Sequence, residues 1–315
     1  MFCRRFLQLM LIILLTEDIA RAQEVKSFQA NISPEITKST NARTAGSPLV
    51  SMIRLKSGVS LQYAESVNKD GIPVVFLHGF TDSRHSFDYL VPQLSPAIHW
   101  VVISQRGHGQ SDKPETNYLP EDFAADLYEF LEVRNIKKPI IVGHSMGATI
   151  AEAFALRHPE QLSGLVLISA VPGLRSNPVL REFGNQVALL KDPIDHAFAS
   201  DFQKSTLSLP IPESFLDTVI NETLKVPAAV WRSVMKGLIA TDYSRQLKKI
   251  RVPTLLIYGD NDNFSSLHDQ EQLKADIKNS KLLIYSGVGH AIHWEKPLRT
   301  ASDISSFIKE VTRTK

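Results

Sequence analysis

The sequence is short of cysteine, of excess charge of either sign and of long apolar runs, and each shortage removes a class of protein. Cys3 is the single cysteine of 315 residues, so a disulfide-stapled scaffold is excluded. No cluster at metal-ligand spacing and no Gly-x-Gly-x-x-Gly fingerprint occurs, so neither a metal nor another cofactor is expected. The formal net charge is +2, which argues against nucleic acid or another polyanion as partner. The chain contains no internal repeat and no long low-complexity tract. Its N-terminal apolar run, Phe6 to Leu15, is too short to cross a bilayer, and stable membrane insertion is not expected.

That short run has the layout of an export signal. Arg4 and Arg5 precede it, and Ala20-Arg21-Ala22 supplies a small-x-small cleavage site before Gln23, so residues 1–22 read as a secretory signal peptide and the protein as secreted or periplasmic. Its removal takes away three arginines, two acids and the cysteine, leaving a net charge of +1 against the +2 of the full chain. Residues 23–48 are rich in Ser, Thr, Asn and Lys without apolar periodicity and read as a flexible lead-in. Asn31-Ile-Ser33 and Asn221-Glu-Thr223 are glycosylation sequons, which matter only in a eukaryotic secretory pathway.

With 43% hydrophobic residues, the remainder can bury a full core. Val50 to Leu55 and Val59 to Ala64 flank Lys56-Ser57-Gly58 as an antiparallel hairpin. Short apolar strands then alternate with helical patterns, at Val74–Leu77, Val101–Ser104, Ile140–Val142, Leu165–Ser169, Thr254–Tyr258 and Leu282–Tyr285. This alternation predicts an α/β fold with a mostly parallel, doubly covered sheet, whose function lies outside the carboxyl ends of the strands.

At one strand end stands Gly143-His144-Ser145-Met146-Gly147, the spacing of a nucleophile elbow. A side chain at either glycine would collide with the neighbouring strand or helix, and Ser145 is held out at a helix N-terminus whose free N–H groups stabilise a developing anion. After an earlier strand comes His78-Gly79-Phe80-Thr81-Asp82-Ser83, leading to a helical pattern from Ser86 to Leu94. The Phe80 N–H, with that of Met146, forms a candidate two-donor oxyanion hole; His78 is assigned support of the loop. In Ser104 to Asp112, Arg106 and Asp112 are expected to tie the loop down by charge-assisted hydrogen bonds, and His108 has no catalytic role.

Between Ser169 and Thr254 the strand rhythm stops and prolines and helical apolar patterns take over, so a helical insertion capping the crevice is predicted. Among its apolar residues Phe183, Phe215, Trp231 and Met235 are the candidate lining of a substrate pocket. Past the next strand stand two acids, Asp260 and Asp262, and after the last strand His290 follows Gly287 and Gly289. A serine hydroxyl needs a base within reach and a carboxylate to fix that base's tautomer. The chain supplies them in the order serine, acid, histidine.

On these stretches, H-G-F-T, R-G-H-G-Q-S-D, G-H-S-M-G, G-D-N-D and G-V-G-H followed by E-K-P, residues from about 49 to 312 resemble α/β-hydrolases of the capped esterase, lipase and epoxide-hydrolase-like group. The resemblance implies the α/β-hydrolase fold, with core residues 49–170 and 246–315 and a helical cap, 171–245, inserted after the sixth strand. It implies Ser145 as nucleophile, His290 as general base and then acid, Asp262 rather than Asp260 as the carboxylate, and the Phe80 and Met146 amides as the oxyanion hole. His293 is left packed or solvated. Ser104 departs from the pattern, since many relatives carry aspartate there. Serine at 145 argues against the aspartate-nucleophile branches.

The reading that follows is a serine hydrolase, monomer or weak dimer, that cleaves a small carboxylic ester or lactone with an apolar portion through an acyl-enzyme. Alternatives on the same residues are a carbon–carbon bond hydrolase or a hydroxynitrile-lyase-like enzyme, a macrolide-type lactone among the substrates, and, from a different class, a ligand receptor on the same fold.

Overall fold

The computed structural model of the chain describes residues 48–174 and 177–313. The expected signal peptide, its cleavage site and the sequon at Asn31 lie outside them, as does the lead-in except its last residue. No helix among the described residues is long and apolar enough to cross a membrane.

Strands β1 (Leu49–Arg54) and β2 (Ser60–Glu65) form the expected hairpin, turned at Gly58, whose φ of 91° suits a residue without a Cβ. Strands β3 (Ile72–Leu77), β4 (Ile98–Ser104), β5 (Ile140–His144), β6 (Gly164–Ile168), β7 (Thr254–Gly259) and β8 (Ser280–Tyr285) complete one sheet in the order β1-β2-β4-β3-β5-β6-β7-β8. From β4 to β8 all neighbours are parallel, which requires crossover connections on the faces of the sheet. Helices α1 (Pro120–Arg134) and α2 (Met146–Arg157) are two of these connections. Helices α3 (Pro178–Val187), α4 (His196–Ser205), α5 (Glu213–Thr223) and α6 (Ala228–Ala240) fill the interval between β6 and β7. Helix α7 (Leu267–Asp276) precedes β8, and the short α8 (Ile292–Glu295) and α9 (Pro297–Arg313) follow it.

Strands β3 to β7 are buried on both faces, and their side chains divide by the two-residue period of a pleated sheet. Val75, Leu77, Ile141, Leu165 and Leu167 join a core with Leu127 and Phe130 of α1 and Phe154 of α2. Val74, Phe76, Ile140, Val142, Val166 and Ile168 point the other way, into a core with Ile304, Phe307 and Ile308 of α9. The interval between β6 and β7 is helical as expected, and Val230, Trp231, Val234 and Leu238 of α6 extend the first of these cores.

One expectation is corrected. The pattern from Ser86 to Leu94 forms two single turns of 3₁₀-helix, Arg84–Phe87 and Val91–Gln93, instead of one helix. Pro92 has no N–H with which to continue a helix and sits at the start of the second turn. The loop from Ser104 to Asp112 is tied down as expected by Asp112 and Arg106, and Arg106 acts through α1. Its guanidinium grips Asp126 of α1 with two bonds of 2.5 and 2.6 Å and donates a third to the Asn117 carbonyl at 2.8 Å. Asp112 accepts the Ser60 N–H at 2.7 Å, so each fastens the loop to a different element. Ser104, the departure from the family pattern, takes part in the same fastening: its Oγ accepts the Arg84 N–H and donates to Gln62.

The Arg106–Asp126 pair is buried on both sides, and removing one partner strands the other charge away from water. Arg106→Ala is expected to lower unfolding stability by about 3–5 kcal/mol, read from urea or thermal denaturation. A loss below about 1 kcal/mol would mean that water replaces the pair.

Candidate active site

The turn from β5 into α2 is set by contacts that only glycine permits. A Cβ on Gly143 would lie 2.3 Å from the Gly147 carbonyl oxygen, and one on Gly147 would lie 2.2 Å from the Leu77 carbonyl oxygen of β3. Both are well inside van der Waals contact. The turn is therefore pressed against β3, and Ser145 between the glycines adopts φ 52°, ψ −114°. Such a conformation costs about 1–3 kcal/mol for a non-glycine residue and persists only where its surroundings impose it. Here the Ser145 N–H is held by the Ile168 carbonyl at the end of β6, at 2.9 Å. Ser145 stands directly before α2 and lines a cavity of about 670 Å³, counting its mouth.

His290 lines the same cavity. Its Nδ1 donates to both carboxylate oxygens of Asp262, at 2.9 and 2.8 Å, which leaves Nε2 as the lone-pair nitrogen. The Asp262 side chain is fully buried and is itself oriented by the Phe264 and Ser265 N–H groups and the Ser265 hydroxyl. Burial pushes its carboxyl up, but the facing His290 and these donors outweigh that and hold it below the usual carboxylate range. Asp260, the other acid near this strand end, accepts the Gly287 N–H and is turned to the outside of the same loop.

The histidine is also fixed through its main chain. The His290 carbonyl accepts the Ser169 hydroxyl at 2.8 Å and Nε2–H of His144 at 3.1 Å. Burial, and then the neighbouring His290, lower His144 to about 3, so its ring stays neutral and donates from Nε2. His78 has the loop-supporting geometry expected of it: Nδ1 donates to the Gly79 carbonyl, and Nε2 accepts the Gln105 N–H. His293 is buried and hydrogen-bonded to Ser86, and His108 bonds to the Arg106 carbonyl.

Phe80 and Met146 both line the cavity beside Ser145, and neither N–H has a main-chain acceptor among the described loop and turn bonds. Gly79 is required before Phe80, since a Cβ there would lie 2.8 Å from the His144 ring. The opposite wall comes from the helical interval, through Leu180 and Phe183 of α3, Phe202 and Gln203 of α4, and Met235 of α6. Of the four apolar residues singled out as lining, Phe183 and Met235 reach the cavity; Trp231 and Phe215 do not. Trp231 is buried behind Phe80, ring centroids 5.1 Å apart, and Phe215 packs on Trp294 and Tyr89. Both belong to apolar helix faces that are buried against other side chains instead of empty space. Sequence reasoning passed over Asp82 and Gln203, which line the cavity and hydrogen-bond to each other at 3.1 Å.

Glu295 joins the helical interval to the histidine loop. One carboxylate oxygen accepts the Ser208 N–H, just past α4, at 2.8 Å, and the other accepts the Gly289 N–H at 3.0 Å. Beside it the Ala291 N–H donates to the Thr206 carbonyl.

Comparison with known proteins identifies the family. Residues 72–297 match the family described as alpha/beta hydrolase fold, and the chain belongs to that family. A putative non-heme chloroperoxidase of Synechocystis sp. is 30% identical over 241 residues, 71% of this chain and 86% of that protein. Lipase 3 of Moraxella sp. is 26% identical over 268 residues, 82% of this chain and 84% of the lipase. Among solved structures, an esterase from Exiguobacterium antarcticum superposes with a TM-score of 0.76 at 22% identity, covering 83% of this chain and all of that one. Two of these three carry hydrolase names, and the third that of a chloroperoxidase.

The depressed Asp262 carboxyl has a thermodynamic consequence. Its stabilising bonds are fully present above the ordinary value of 3.8 and are lost as the pH falls through the lower folded-state value. Asp262→Asn is expected to be less stable than the parent by about 1–3 kcal/mol near neutral pH, with the gap closing in acid below 3.8. Urea midpoints across that range test this; a gap independent of pH would refute it.

Proposed function

We propose that the protein is an exported serine hydrolase that cleaves a carboxylic ester or lactone through an acyl-enzyme. The observation that carries this reading is the His290–Asp262 pair, its Nδ1 bonded to both carboxylate oxygens, at the wall of the cavity that Ser145 also lines. Nδ1 is committed as donor, so Nε2 is the nitrogen left to take the Ser145 proton. Ser145 Oγ then attacks the substrate carbonyl, and the oxyanion is met by the Phe80 and Met146 N–H groups. His290 returns the proton to the leaving alcohol, and the same nitrogen activates water to release the acid. Asp262 stays ionised throughout and stabilises the imidazolium between the two transfers.

The helical interval serves as the cap in this reading. Its apolar side chains shield the acyl-enzyme and dispose the site toward substrates with an apolar portion. Export rests on the arrangement of Arg4, Arg5, the apolar run and Ala20-Arg21-Ala22. The lipase and esterase names among the relatives agree with ester cleavage, and the chloroperoxidase name belongs to a different reported reaction on a related chain.

Ser145→Ala is expected to lower turnover of p-nitrophenyl esters by about 10⁴-fold or more and to abolish labelling by a fluorophosphonate, with the fold retained by circular dichroism. Near-normal turnover in that variant would overturn the mechanism, and stoichiometric ligand binding without turnover in the parent would favour a receptor.

A further inference from the structure

The cavity contains one acidic side chain that the proposed chemistry does not use. Asp82 lines it, yet the residue is only 3% exposed. Its Oδ1 accepts Gln203 Nε2 and its Oδ2 accepts the Ser86 hydroxyl, each at 3.1 Å. Both donors are neutral. No lysine or arginine is among the described residues lining the cavity, and none forms an ion pair with Asp82. His290, whose charge bears on Asp82, is already committed to Asp262.

Aromatic and aliphatic side chains share the rest of the wall, Val171, Leu174, Leu180, Met235 and Leu238 among the latter. Phe80 stands edge-on to Phe183 and Phe202, with centroids 6.2 and 5.9 Å away, and those two rings stack on each other at 5.0 Å. Phe264 and Trp294 line the cavity as well. A carboxylate without a cation of its own, in a cavity that five aromatic side chains also line, suits an organic ammonium ion. The ring faces attract the charge and pack against its alkyl groups, while the carboxylate neutralises it. A neutral substrate leaves the buried anion uncompensated, and an anionic one adds repulsion.

We infer that the substrate carries a tertiary or quaternary ammonium group, on its acyl or its alcohol side, which is seated between Asp82 and the aromatic side chains of this cavity; the inference rests on the ester-hydrolase reading above. Burial pushes the Asp82 carboxyl up to about 6, held from rising further by Gln203 and Ser86, so the anion predominates in mildly alkaline solution. The bond to Gln203 of α4 brings a cap residue into the same subsite. Asp82 is thereby a specificity residue for the charged portion, separate from the groups that act on the ester bond.

The experiment uses matched esters in which one atom differs. Choline butyrate is compared with 3,3-dimethylbutyl butyrate, where carbon replaces nitrogen, and the p-nitrophenyl ester of 4-(trimethylammonio)butyrate with that of 5,5-dimethylhexanoate. In at least one pair the cationic member is expected to have a tenfold or greater advantage in kcat/KM. Asp82→Asn is expected to abolish that ratio, whatever it does to the neutral member. Tetraethylammonium is expected to compete with a neutral p-nitrophenyl ester in the unmodified protein. Equal kcat/KM within both pairs and no competition would overturn the inference, as would a cationic advantage that survives Asp82→Asn. If that variant fails to fold, the paired esters and the competition on the unmodified protein decide. If no ester is turned over and Ser145 is not labelled by fluorophosphonate, the hydrolase reading fails on its own. Calorimetric titration with tetraethylammonium then tests the subsite: saturable binding supports it, and no binding overturns it.

Discussion

The arrangement of the site depends on how closely the β5–α2 turn approaches β3. Two missing Cβ atoms, at Gly143 and Gly147, let the turn close to within atomic contact of the Leu77 carbonyl, and the rest of the geometry follows. Ser145 is forced into positive φ and its side chain is left at the cavity wall. The start of α2 comes to lie against Leu77 and His78, which lead into the loop that carries Phe80. The strain at Ser145, about 1–3 kcal/mol, is small beside the burial of the sheet on both faces, so the core holds a local conformation that the serine alone would not adopt.

The histidine side of the cavity is organised differently. His290 lies in a loop, and a loop residue needs several ties to be positioned as well as a strand end. Asp262 fixes the ring, Ser169 and His144 fix the carbonyl, and Glu295 fixes the preceding N–H group. His144 and Ser169 stand at the ends of adjacent parallel strands, so the sheet register that places Ser145 also determines where the histidine main chain can rest.

What the sequence discloses follows the range of the interactions. Glycines two residues from Ser145 report a local steric demand, and the parallel strands report burial on both faces; both are visible in a few neighbouring residues, and the fold and the serine–acid–histidine order could be read from them. Phe215 and Trp231 illustrate the other case. Helical periodicity says that a face is buried but not whether it meets side chains or open space, and both meet side chains. Asp82 was passed over because its meaning depends on Gln203, far along the chain, and on the absence of a cation nearby, neither of which a local pattern records. Arg106 could be read as a fastener of its loop, but its partner Asp126 could not, because α1 brings that carboxylate to the guanidinium from outside the loop.

The carboxylate of Glu295 holds one N–H from the histidine loop and one from Ser208, three residues past α4. This makes the helical interval and the histidine loop interdependent: a different interval would have to present its own N–H where Ser208 now sits, or leave a half-buried acid short of a donor beside His290. The end of α4 is therefore constrained to change together with the loop that carries His290.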